Sequence, residues 1–92
     1  MSRQQILRDI GRMENLADAL YGSSIEEINS LVGQLEGTIY SINDGFREHG
    51  ISPRIGELAD LGHREFGPDN VHELTRIIQH AAARFRSMAN GL

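Results

Sequence analysis

Residues 25–46 read IEEINSLVGQLEGTIYSINDGF, and the apolar side chains of this stretch keep a heptad rhythm. Ile25, Ile28, Val32, Leu35, Ile39, Ile42 and Phe46 are spaced alternately by three and four residues, the a/d seam of a helix that packs along its whole length. Such a helix does not stand alone in water, because most helical stability in proteins comes from burying the apolar face. The stretch therefore predicts a helical bundle. Its partner is the rest of the chain, a second copy or another protein.

Punctuation on either side sets the bounds of the elements. Ser24 and Glu27 have the spacing of a capping box, which opens this helix at 24, and Gly50 closes it after residue 49 as a left-handed C′ residue. Upstream, Ile6, Ile10, Met13, Ala17 and Leu20 repeat the pattern, with Leu7 and Leu16 widening the stripe. That helix spans about 3–21, with Ser2 as N-cap and Gly22 as the stop. Only Gly22 and Ser23 separate the two helices, which predicts an antiparallel hairpin.

Downstream, Ser52-Pro53 reads as an N-cap followed by proline at N1, opening a short helix over 53–66 that Gly67-Pro68 ends. Ile55, Leu58, Leu61 or Gly62, and Phe66 line its apolar side. A last helix over 70–90 opens with a second capping box, Asn70 and Glu73. It carries Val71, Leu74, Ile78, Ala81, Phe85, Met88 and Leu92 in seam positions, flanked by Ile77, Ala82 and Ala89. No period-two alternation between turn signals suggests a strand. The expected fold is all-α: a small antiparallel helical bundle of three long helices and one short helix, in one domain over 1–92.

Ninety-two residues suffice for one modest core and little more. The chain has no cysteine, so neither disulfides nor thiolate metal sites contribute. No apolar run reaches the ~20 residues of a membrane span, and the polar N-terminal stretch does not read as a signal sequence, so no membrane association and a cytoplasmic location are expected. The net charge of −4 argues against generic binding to a phosphate backbone. All nine basic residues are arginine, which a GC-rich coding genome explains as readily as selection for bidentate contacts to carboxylate or phosphate.

Three polar features stand out. On the side of the second helix away from the seam, Gly33, Gly37, Tyr40 and Asp44 share a face. An interior glycine costs roughly 0.5–1 kcal/mol against alanine, so the pair points to close approach by a neighbour, inside the chain or from a partner, with simple tolerance of glycine as the remaining reading. On the last helix His72, Arg76, His80 and Arg84 follow at i+4 steps and stack into a basic ridge, with Arg86 near its end. That ridge suits phosphate or an acidic partner, and both histidines add charge as the pH falls. It equally suits a solvated face with cations in the C-terminal half of a helix. The third feature, Arg3, Arg8 and Arg12, reads as exposed surface balanced by Glu14 and Asp18.

Catalytic and metal signatures are lacking. The histidines show no i,i+4 pair and no His-Glu-x-x-His string, and His63-Arg64-Glu65 is too local to converge on one ion. Ser23, Ser24 and Ser52 are accounted for as turn or cap residues, and no nucleophile elbow occurs. Pairing Glu57 or Asp60 with His63 or His49 would need a geometry that spacing does not supply. A helix-turn-helix built on Leu58-Ala59-Asp60-Leu61-Gly62, with 70–76 as recognition helix, suffers from a long loop and from Asp69 and Glu73 repelling phosphate.

The expectation is a non-enzymatic small helical interaction protein of the adaptor, chaperone or inhibitor type. It would form a homodimer or higher homo-oligomer, bind a protein partner, and use no cofactor and no metal. The alternative is a bundle that binds a phosphorylated small molecule, nucleotide or nucleic acid through the Arg/His ridge.

Overall fold

The computed structural model describes residues 1–56, 58, 61 and 64–92. It contains three α-helices: α1 (Arg3–Ala19), α2 (Ile25–Glu48) and α3 (Val71–Asn90). Ser2 caps α1 by accepting from the Gln5 N–H, while the Gln5 side chain accepts from the Ser2 N–H at 2.8 Å, a reciprocal capping box. Gly22, at φ +75°, turns the chain out of α1. Ser24 then accepts from the Glu27 N–H at 3.3 Å, opening α2. The Glu27 carboxylate takes the Ser24 hydroxyl at 3.0 Å, so a hydroxyl proton fills the place of the backbone donor in the expected box.

At the far end of α2 the Gly50 N–H donates to the Arg47 carbonyl and the Ile51 N–H to the Phe46 carbonyl, both at 3.0 Å. This is a Schellman motif, and it requires the left-handed conformation that Gly50 adopts at φ +75°. The second expected capping box does not form. Asn70 sits at φ −101°, ψ −7° with no side-chain cap hydrogen bond, because its backbone is already near helical and the side chain does not point back over the first turn.

Helix α1 is the hub. The Ser41 hydroxyl donates to Asp9 at 2.8 Å and the Met1 amino group pairs with Glu48, so α1 and α2 run antiparallel, as the short turn requires. Against α3, Arg86 pairs with Glu14, Gln79 donates to Asp18 at 3.4 Å, and Tyr21 meets His72 edge-on at 5.1 Å, again an antiparallel register. Helices α2 and α3 consequently point the same way. The long axis of 37 Å matches the length of α2, about 36 Å at 1.5 Å per residue.

Two helices pointing the same way must be joined by a segment that runs back along the bundle, and residues 51–70 are that strap. The expected short helix over 53–66 is not an α-helix: among its described residues none is α-helical, and Gly56, Leu58 and Leu61 have the tighter 3₁₀ geometry. Leu58 N–H donates to the Ile55 carbonyl at 2.7 Å and Arg64 N–H to the Leu61 carbonyl at 3.3 Å. Gly56 lies at φ +39°, outside the right-handed region, so no α-helix runs through it from Pro53. The strap nevertheless fills the fourth place in the bundle by burying Pro53, Leu58, Leu61 and Phe66. Residues Glu57, Ala59, Asp60, Gly62 and His63 lie outside the described residues. The candidate His63-Arg64-Glu65 cluster, the pairing of Glu57 or Asp60 with histidine, and the turn of the helix-turn-helix reading fall there with them.

One core joins all four elements. Every seam residue of α2 except Ile25 is buried, and so are Ile6, Ile10, Met13, Ala17 and Leu20 of α1 and its turn. Phe46 of α2 and Phe85 of α3 meet with ring centres 6.1 Å apart. Full burial of a large aliphatic or aromatic side chain contributes about 1.5–3 kcal/mol, so the heptad stripe is satisfied within the chain. Ile25 departs from the seam because it begins the helix beyond the end of α1, where nothing is left to cover it; it is 57% exposed. Among the described residues no helix is long and apolar enough to cross a membrane.

Candidate functional site

The basic ridge of α3 faces a groove. Arg76, His80 and Arg84 stand at successive i+4 positions, about 6 Å apart along the axis. Across from them runs the beginning of the strap, held there because an Arg84 guanidinium N–H donates to the Arg54 carbonyl. Between α3 and the strap lies an open cavity of about 570 Å³. Its rim is Arg54, Arg76, His80 and Arg84, all exposed, and its floor is Ile55, Leu58, Ile77 and Ala81, buried or half-buried. The volume falls within the usual range of ligand pockets.

Electrostatics make this rim unusual on a chain of net charge −4. The two ion pairs found among the described residues, Met1 with Glu48 and Arg86 with Glu14, lie elsewhere. The described lining contains no carboxylate, and among the described residues none of the three guanidinium groups at the groove forms an ion pair. Arg84 is further steadied by its position 5.3 Å from the centre of the Phe85 ring.

His72, the remaining member of the ridge, points elsewhere. It stacks edge-on against Tyr21 and lines a second, smaller depression of about 410 Å³ with Glu73, Arg76 and Gln79. The four-residue ridge thus resolves into a three-residue rim and one histidine tied to the α1–α2 turn. Arg76 borders both depressions.

The glycine face of α2 takes a different form from the expected close approach within the chain. Gly33, Gly37, Tyr40 and Asp44 are all exposed, and a Cβ built on Gly33 or Gly37 would meet nothing within 4 Å. The glycine that does permit close approach is Gly45, buried where α1 begins: a Cβ there would collide with Met1 Sδ and lie 2.9 Å from Ile6 Cγ1. Arg3, Arg8 and Arg12 are exposed, and Glu14 and Asp18 turn to α3 instead of balancing them.

Sequence spacing found Arg76, His80 and Arg84 but missed Arg54, Ile55 and Leu58, which complete the groove. No periodicity locates them, because the register of an irregular strap is set by what it packs against. Among the described residues no group of three or more His, Cys, Asp or Glu side chains could hold a metal ion. Comparison of the chain with known protein families, with curated proteins and with solved structures finds no match.

Proposed function

We propose that this chain is a non-enzymatic helical binding module of the adaptor, chaperone or inhibitor type, and that a protein partner docks in the groove between α3 and the strap. The observation that carries the reading is the juxtaposition of the Arg54/Arg76/His80/Arg84 rim with the aliphatic floor of Ile55, Leu58, Ile77 and Ala81. Cations around an apolar centre match the usual anatomy of a recognition patch, where buried apolar contacts supply affinity and rim charges supply selectivity. In the described lining no hydroxyl, thiol or carboxylate stands beside His80 to complete a nucleophile–base or acid–base pair. The heptad stripe of α2 is largely buried in the chain's own core, which favours the groove as the docking surface.

A photo-crosslinking residue at Ile77 in the expressing cell tests this reading, with the same residue at exposed Asn15 as control. A discrete protein adduct from position 77 alone is the expected result. Adducts of equal pattern from both positions, or none from either, would contradict it.

A second reading draws on the same three guanidinium groups: a site for a phosphorylated small molecule or nucleic acid. It predicts that inorganic phosphate, a nucleotide or an oligonucleotide protects Arg76 and Arg84 from modification by phenylglyoxal. The protein-partner reading predicts no protection by these anions at millimolar concentration.

A further inference from the structure

The rim charges are strung out, and that arrangement restricts what can neutralise them. Arg76 and Arg84 are separated by two helical turns, about 12 Å along α3, with His80 midway. A single phosphate or carboxylate reaches one or two of these groups and leaves the others unmatched. A ligand with several acidic groups at intervals near 6 Å pairs with both guanidinium groups and can accept a hydrogen bond from the imidazole between them. A second α-helix with acidic residues at i, i+4 and i+8 has that interval by construction.

The floor narrows the choice further. Ile55, Leu58, Ile77 and Ala81 offer only aliphatic surface, which a sugar–phosphate backbone does not use. No aromatic ring in the described lining could stack on a base. An occupant must therefore carry apolar side chains beside its acidic row. From this charge and surface complementarity we infer that the groove accepts an acidic amphipathic helix of a partner protein, two to three turns long, laid along Arg76, His80 and Arg84 with its apolar side on Ile77 and Leu58. This inference names the chemistry of the partner and rests on the docking reading above.

The test uses two fluorescein-labelled helical peptides of about 15 residues with identical composition. One places Glu at every fourth position along one face with Leu alongside; the other disperses the same Glu and Leu around the helix. Fluorescence anisotropy with the full chain should show the aligned peptide binding at least about tenfold tighter than the dispersed one, a difference of about 1.4 kcal/mol. Its affinity should fall as salt rises. Arg76→Glu, which removes no hydrogen bond or ion pair found among the described residues, should weaken the aligned peptide about tenfold or more, and so should His80→Glu. Arg8→Glu, on the exposed side of α1, should leave it unchanged.

Equal binding of the two peptides, equal loss from Arg8→Glu and Arg76→Glu, or displacement of the peptide by inorganic phosphate or an oligonucleotide at lower concentration than by unlabelled peptide would each overturn the inference. A protein adduct at position 77 together with no peptide binding would overturn the acidic-helix chemistry while leaving the docking reading in place. Absence of the adduct would remove the docking reading itself.

Discussion

Glycine plays opposite parts at two places on α2, and the difference is measurable. At Gly33 and Gly37 a methyl group would enter open space, so alanine gains its helix propensity without penalty. Gly33→Ala and Gly37→Ala should each stabilise the chain by about 0.5–1 kcal/mol in chemical denaturation. At Gly45 the same methyl would press on Ile6, which is fully buried and cannot retreat. Gly45→Ala should destabilise by about 1 kcal/mol after the propensity gain is subtracted from the overpacking cost. Buried hydroxyls show a parallel contrast. Thr38 donates to the Gln34 carbonyl at 2.8 Å, whereas the more deeply buried Thr75 Oγ1 has no hydrogen-bond partner among the described residues. Thr75→Val removes that unpaired hydroxyl with little change of shape and should raise stability by about 1 kcal/mol, read as a higher melting temperature.

At the level of elements, the helices could be read from the sequence and the strap could not. Periodicity together with Ser2, Gly22, Ser24 and Gly50 placed α1 and α2 within two residues of their observed ends, because caps act through backbone geometry that a few side chains dictate. Asn70 has the residue type of a cap but not its conformation, and residue type alone cannot reveal that. Between 53 and 66 the apolar spacing resembles a short helix, yet Gly56 at φ +39° interrupts it. Of the apolar residues in this stretch, Leu58, Leu61 and Phe66 are buried and Ile55 is half-buried, so the spacing locates core positions even without the helix. Leu61 is 1% exposed, as deeply buried as the seam residues of α2. Leu61→Ala should therefore cost about 2–5 kcal/mol in urea unfolding, comparable to Leu35→Ala and far above an ordinary loop substitution.

For the whole molecule, the heptad stripe that decides the fold turns out to be consumed by it. Helix α1 sits between α2 and α3, the strap closes the remaining side, and six of the seven seam residues of α2 are buried without a second chain. Among the described residues, two exposed surfaces are the Arg-rimmed groove between α3 and the strap and the part of α2 that carries Gly33, Gly37 and Asp44. Half of the groove was legible as an i+4 row of cations; the other half arises only when the strap folds back against α3. These two surfaces separate cleanly in one measurement. In a titration of isotopically labelled full-length chain with the aligned acidic peptide, followed by amide chemical shifts, the account predicts changes concentrated at Arg54–Leu58 and Arg76–Arg84, with Gly33–Asp44 unmoved. Changes centred on Gly33, Gly37, Tyr40 and Asp44, or no localised change at all, would contradict it.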